Sequence, residues 1–482
     1  MRRRVAVAAW PLTALLLARC GQPTGPQGNG ASPVTLTVGL GQVAATSDIA
    51  GVQQLKQILS TEGLIKFSQD GRPESALSES WAASPDGRSL TLRLRPNAKF
   101  HDGSLVDAPT VATILKRTLP TWMGAAFEDI EQIAATSGKE LTIALRRPSP
   151  LLIEALDSPV RKENGSGTGP FKSVDPAKPE LIANDDYYLG RPAIDEIVIR
   201  RYPSIRAAWA EMLRNQIDML YEVGPDALES LAGATNVSLF TFIRHYQLLV
   251  FFNTNIPVFR DADVRRALNL AIDRDNLIAE GLNGHGVPSP GLISPNYWAF
   301  QRPPTISFDV KAADTTLRAK RISFVCLVAP EFERVALVMK RQLETVGVDM
   351  RLREIPMESL MEALVKRDFD ALLADTISGP SFFRIYRAWH SQGPLGGGVG
   401  NKHLDAALDR VRFAQSAAEY RTAVGEFAKA VSEDPPALFL AWSERARAVN
   451  RRFDVPVEPG RDILTTLRLW RPTTDLQYVD RN

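Results

Sequence analysis

Cysteine is almost missing: Cys20 and Cys326 are the only two in 482 residues. Two cysteines so placed give no disulfide framework, so a chain of this length must rest on a large apolar core. Histidine is scarce too, five in all and scattered. No His-Glu-x-x-His or Gly-x-Ser-x-Gly motif occurs, which argues against a secreted metallo- or serine hydrolase. No metal or cofactor site is expected. Charge of one sign is lacking as well. The formal net charge is +2, and the basic residues form no stripe, so the field needed to grip nucleic acid or an anionic membrane is absent. Beyond the first twenty residues no apolar run approaches the roughly 20 residues that cross a bilayer.

Apolar residues make up 44% and charged residues 23%, the balance of a globular protein. The length points to more than one domain. Arg2, Arg3 and Arg4 precede an apolar run from Val5 to Ala18, interrupted by Pro11 and Thr13. That pattern reads as a signal peptide over 1–20. Leu17-Ala18-Arg19-Cys20 is similar to a bacterial lipobox, with Cys20 as the lipidated residue. Arg19 stands where that motif has a small residue, and a signal peptide without lipidation is the alternative. Residues 21–33 are rich in Gly, Pro, Gln and Asn and read as a flexible tether.

From Val34 onward, strand and helix patterns alternate. Leu36, Val38 and Leu40 mark a first strand. Leu90, Leu92 and Leu94 alternate with polar residues after the Asp86-Gly87 turn, which predicts a hairpin from Trp81 to Phe100. Asp107 and Pro109 open a helix. Tyr246 to Asn253 and Ala437 to Trp442 are apolar enough for strands buried on both faces. Asp263 to Leu282 reads as one amphipathic helix. Ile322 to Val328, which holds Cys326, opens a second series of strands and helices. Residues 393–400 form a glycine loop.

Short motifs then occur in a fixed order. Glu62-Gly63-Leu64 with Asp70-Gly71 comes first, then Leu77-Ser78-Glu79-Ser80-Trp81 with Ser84-Pro85-Asp86-Gly87. Leu92-Arg93-Leu94-Arg95-Pro96 with Phe100-His101-Asp102-Gly103 follows, then Gly167-Thr168-Gly169-Pro170-Phe171. Phe252-Asn253-Thr254, Asp263-Val264-Arg265-Arg266-Ala267-Leu268 and Ala271-Ile272-Asp273-Arg274 close the series. Together they resemble the family 5 extracellular solute-binding proteins, the peptide/nickel-type binding proteins of ABC importers. The resemblance runs from about Val34 to Phe453. The motifs themselves read as structural. His101-Asp102 is a turn, Thr168-Gly169 is a backbone crossing, and Arg265, Arg266, Asp273 and Arg274 are surface and cap charges.

The resemblance implies an α/β, two-lobed periplasmic-binding-protein (type II, Venus-flytrap) fold with an extra subdomain inserted in the first lobe. Residues 34–63, 165–254 and 442–482 would form lobe I, with 64–164 inserted, and 255–441 would form lobe II. It also implies an exported, monomeric binding protein with no catalytic residues. It would capture a small-molecule or peptide ligand and hand it to ABC permease subunits served by a separate ATPase. Membrane contact would come only through the lipid anchor, and nucleic acid is no partner. A sensing or scavenging role uncoupled from transport is the alternative. Asp375, beside Gly379-Pro380-Ser381-Phe382-Phe383, stands where peptide-binding members pair a carboxylate with the peptide's α-amino group. Thr46, Ser47, Arg244, Tyr246, Arg384 and Trp389 are further candidates by position, an arginine suiting a ligand carboxylate and a tryptophan a cation face.

Overall fold

The computed structural model describes residues 33–41, 48–223, 225–300, 307–393 and 402–473. Cys20, Thr46, Ser47 and nearly all of the tether and of the glycine loop lie outside them. Two long strands carry the architecture. Val237–Phe252 and Ala437–Asn450 pair antiparallel, with a register shift between Ile243 and Gln247 in the middle. On the outer side of Ala437–Asn450 follow Met219–Leu220, Thr35–Gly41, Glu196–Tyr202, Glu180–Ala183 and Phe171–Lys172. On the outer side of Val237–Phe252 follow Ala371–Ile377, Ser323–Val328 and Asp349–Glu354. One mixed sheet therefore contains two α/β halves that share the long strands.

Each half is parallel at its centre. Thr35–Gly41 runs parallel to both Glu196–Tyr202 and Met219–Leu220. Ser323–Val328 runs parallel to both Asp349–Glu354 and Ala371–Ile377. Registers fix the directions. Leu220 lies opposite Ala448 on an antiparallel partner, so the chain after it moves toward the middle of the long strands. Ala371–Ile377 starts opposite Phe252 and ends opposite Tyr246. The carboxyl ends of the strands in the two halves therefore face each other across the register shift.

The expected hairpin is present as Ser78–Ala83 and Ser89–Leu94, with Gly87 at φ 67°. It belongs to a separate four-stranded antiparallel sheet with Glu140–Leu145 and Ile130–Ala135. The helix Ala108–Met123 lies on that sheet and buries Val111, Ile114, Leu115 and Leu119. Asp107 caps it by accepting from Thr110 N at 2.8 Å. The apolar residues of this small sheet join the same core cluster as those of 255–441, while 34–63 and 171–220 pack in two other clusters.

Three buried carboxylates add polar links between 64–164 and 255–441. Asp129 accepts from Arg412 Nε at 2.7 Å. Asp157 pairs with Arg384. Glu154 accepts from Tyr420 Oη at 2.8 Å and from Phe383 N at 2.7 Å.

Two expectations need correction. The helix expected over Asp263–Leu282 is two, Ala262–Leu270 and Arg274–Gly281. Asp273 breaks it by capping the second, accepting from Asn276 N at 3.0 Å. Nor are Arg265 and Arg274 surface charges, being 5% and 6% exposed. Arg265 Nε donates to Pro435 O at 2.9 Å, and Arg274 Nε donates to Phe439 O at 2.9 Å. Asn269 Nδ2 donates to Ala437 O at 2.9 Å. This motif clamps the start of a long strand, where buried carbonyls need donors.

The His-Asp-Gly turn also has a structural task. His101 N donates to Gly167 O at 2.9 Å, and its Nε2 lies 3.0 Å from Gly169 O. Gly169 N in turn donates to Ser60 O at 3.0 Å. A Cβ at Gly169 would come within 2.5 Å of Leu59 O and 2.7 Å of the Ser60 carbonyl carbon. Gly169→Ala should therefore destabilise the protein by about 1–3 kcal/mol through backbone displacement. Thermal denaturation measures it, and an unchanged melting temperature would show that the two segments separate freely.

Candidate functional site

In open α/β sheets, ligands bind outside the carboxyl ends of the strands, where the direction of winding reverses. Here that place is the middle of the long strands. Asp375 lies on Ala371–Ile377 opposite Leu248, and its side chain is 10% exposed. Its Oδ2 accepts from Arg445 Nη2 at 3.2 Å. Arg445 Nη1 lies 3.4 Å from Oε1 of Glu222, two residues beyond Met219–Leu220. The two carboxylates come from opposite halves of the sheet, and Arg445 bridges them from a strand common to both.

Glu331 completes the group, in the Pro330–Phe332 turn just after Ser323–Val328. Burial raises its pKa, Glu222 and Asp375 push the same way, and Arg445 opposes them. Its Oε2 is buried with no hydrogen-bond partner among the described residues. Two carboxyl groups thus flank one guanidinium, and a third is close enough to feel the charge of all three.

Tyr246 is half-buried on the same line, opposite Ile377. Arg244 lies on the backbone at the register shift, and its side chain is outside the described residues. His245, between them, accepts through its carbonyl from Ser378 N at 3.1 Å. Burial, with Arg384 and Arg461 adding to it, pushes its imidazole down to about 4, so it is neutral at physiological pH.

Two candidates lie elsewhere than expected. The helix Phe382–Trp389 turns Phe382, Phe383, Ile385, Tyr386 and Trp389 into the core. Trp389 is 2% exposed and stacks on Phe251 at 5.4 Å, so its ring serves packing. Arg384 is paired with Asp157 and lies 5.6 Å from the Trp122 ring centroid. The structure gives it a protein carboxylate, where a ligand carboxylate was expected.

Sequence reading missed Glu222, Glu331 and Arg445. The signal for the two glutamates was present: each follows a strand at its carboxyl end. Arg445 was hidden because Ser443, Glu444 and Arg445 end the apolar run, while the strand itself continues to Asn450. Among the described residues no cluster of His, Cys, Asp and Glu could hold a metal ion. Among them, too, no helix is long and apolar enough to cross a membrane.

Comparison with known proteins gives the family and the fold. A family model described as bacterial extracellular solute-binding proteins, family 5, middle region, matches residues 72–391, more than half of the chain. The oligopeptide-binding protein AppA of Bacillus subtilis is 22% identical over 465 residues, 84% of this chain and 85% of its own length. The probable D,D-dipeptide-binding periplasmic protein DdpA of Escherichia coli is 23% identical, covering 66% of this chain and 68% of its own.

Two solved structures share the fold. AppA bound to a nonapeptide superposes with a TM-score of 0.74 at 20% identity, covering 91% of this chain and 99% of its own. NikA of Brucella suis bound to Fe(III)-EDTA gives 0.77 at 19% identity, covering 91% and 100%. The fold is that of the two-lobed periplasmic binding proteins, and the chain belongs to family 5 of the bacterial extracellular solute-binding proteins.

Proposed function

We propose that this protein is the exported capture component of an ABC importer, and that it takes short peptides by their free α-amino end. The observation that carries the reading is the group of Asp375, Glu222 and Glu331 around Arg445, drawn from both halves of the sheet. A ligand ammonium would share Asp375 with Arg445. Relatives named for oligopeptide and dipeptide binding support the ligand class. Residues 34–63, 165–254 and 442–482, with 64–164 inserted among them, would move as one lobe and 255–441 as the other, hinged at the register shift in the long strands. A ligand that touches both lobes would select the closed arrangement. The contacts of Asp129, Glu154 and Asp157 with 255–441 fit a closed form. The loaded protein would then dock as a monomer on membrane permease subunits, with ATP hydrolysed by a separate protein. Cys20 would tether it to the membrane surface.

Asp375→Asn should weaken a free-amine peptide by roughly 1.5–3 kcal/mol, the worth of a charge-assisted hydrogen bond. N-acetylation of the same peptide should cost the wild type a similar amount and the variant little more. Titration calorimetry reads both. Equal affinity of variant and wild type for the free-amine peptide would discard the amine role of Asp375.

A further inference from the structure

Between the helices Asp48–Ser60, Ala108–Met123 and Phe382–Trp389 lies a cavity of about 530 Å³. None of its lining residues belongs to the Asp375 group. Its lining is strongly cationic. Arg117, Arg161, Lys162 and Arg387 face it, against the single carboxylate of Glu163. Two of these cations are already engaged: Arg117 pairs with Glu163 at 2.7 Å, and Lys162 pairs with Asp102 at 2.8 Å.

Arg387 is different. Its guanidinium carbon lies 4.7 Å from the Trp122 ring centroid, and its Nε is buried with no hydrogen-bond partner among the described residues. The nearby carboxylate of Asp157 accepts from Arg384 through Oδ2, while its Oδ1 is buried with no hydrogen-bond partner among the described residues. Burial, and then the charge of Arg384, lowers the pKa of Arg387. Two further donors lack a partner among the described residues, Trp122 Nε1 and Ser158 Oγ. Ser158 is 2% exposed and lines the cavity.

An unmade hydrogen bond at a buried donor costs about 1–3 kcal/mol. Three such donors, one of them on the Arg387 guanidinium that shares Asp157 with Arg384, suit an acceptor-rich anion. The volume exceeds that of a lone inorganic ion and falls within the ordinary range of small-molecule sites, about 300–1,000 Å³. We propose that this cavity is a second binding site, for a compact solute bearing a carboxylate or phosphate oxyanion. The anion is held by Arg387, Ser158 and the Trp122 indole N–H. Arg387 comes from 255–441 while Ser158 and Trp122 come from 64–164, so an occupied site ties these segments together. The inference is independent of the peptide reading.

Titration calorimetry on the full chain tests it, with citrate and with inorganic phosphate as probes in chloride buffer of matched ionic strength. At least one probe should bind saturably at one site per chain. Arg387→Gln and Ser158→Ala should each weaken that binding by about tenfold or more, and Asp375→Asn should leave it unchanged. Ser158→Ala removes a single oxygen, which keeps the test valid where Arg387→Gln disturbs the Trp122 face. Binding of citrate alone identifies the natural group as a carboxylate, and of phosphate alone as a phosphate. No saturable heat with either probe, or binding that survives both substitutions, overturns the proposal.

Discussion

Arg412→Met should lower the unfolding free energy by about 3–5 kcal/mol, the cost of removing one partner from a buried ion pair. Asp129 is 1% exposed and Arg412 is 5% exposed on its side chain. The contact is bidentate, with Nε at 2.7 Å from Oδ2 and Nη2 at 3.0 Å from Oδ1. Arg412 also donates to Tyr386 Oη at 2.6 Å and Ala125 O at 3.1 Å. Without it, Asp129 keeps among the described residues only Arg147, whose side chain is half-exposed, at 2.7 Å. One hydrogen bond and a distant charge do not restore the hydration that a buried carboxylate has lost.

The pair joins a strand end of the small four-stranded sheet to the helix Lys402–Arg412, so the loss falls on the junction of 64–164 with 255–441. Replacing both partners with apolar residues, as in Asp129→Leu with Arg412→Met, should recover most of it, because no charge is then left buried. Urea denaturation of the three proteins gives the comparison. A single variant within about 1 kcal/mol of wild type would mean that Asp129 finds water when Arg412 is gone.

Much of the scaffold was legible because its signals are local. Asp86-Gly87 specifies a turn whatever surrounds it, and Asp107 with Pro109 specifies a helix start. Apolar runs marked the cores of both long strands and the position of Cys326, which is fully buried. The site was legible only in part, because it is assembled over distance. Asp375 was reached through family resemblance and Tyr246 by position alone, and register brings both close to the shift in the long strands. Arg445 was not, since its partners lie 223 and 70 positions away. Arg265 and Arg274 show the same limit. A charged residue on a helix reads as exposed until the strand whose carbonyls it bonds is in place. The Arg384 pair with Asp157 spans 227 positions, and nothing near either residue announces it.

Glu154→Gln should flatten part of the protein's stability profile between pH 4.5 and pH 7. Glu154 is 3% exposed and takes three hydrogen bonds, from Tyr297 Oη, Tyr420 Oη and Phe383 N. Burial outweighs those bonds and raises its carboxyl to about 7, with the nearby Asp157 charge adding to the rise. The sign follows from linkage. The folded state holds this proton up to about pH 7, while the unfolded chain releases it near the ordinary glutamate value. The associated stability is complete below about pH 4.5 and is lost as pH climbs through 7. A shift of this size corresponds to about 3 kcal/mol.

His245 acts in the opposite sense. Its imidazole is pushed down to about 4, so its contribution is lost as pH falls below the ordinary histidine value. The wild-type curve therefore mixes the two, and the difference between Glu154→Gln and wild type isolates Glu154. Glutamine keeps an acceptor for Tyr420 but carries no proton to lose, so the variant should gain on wild type steadily from pH 5 and level off above pH 7. A difference that stays constant across that range would show that Glu154 does not titrate there. All three of its donors come from 255–441, whereas Glu154 sits in 64–164. Ionisation of one buried carboxyl thus opposes the same junction that Asp129 and Arg412 hold, and the two should separate more readily at alkaline pH.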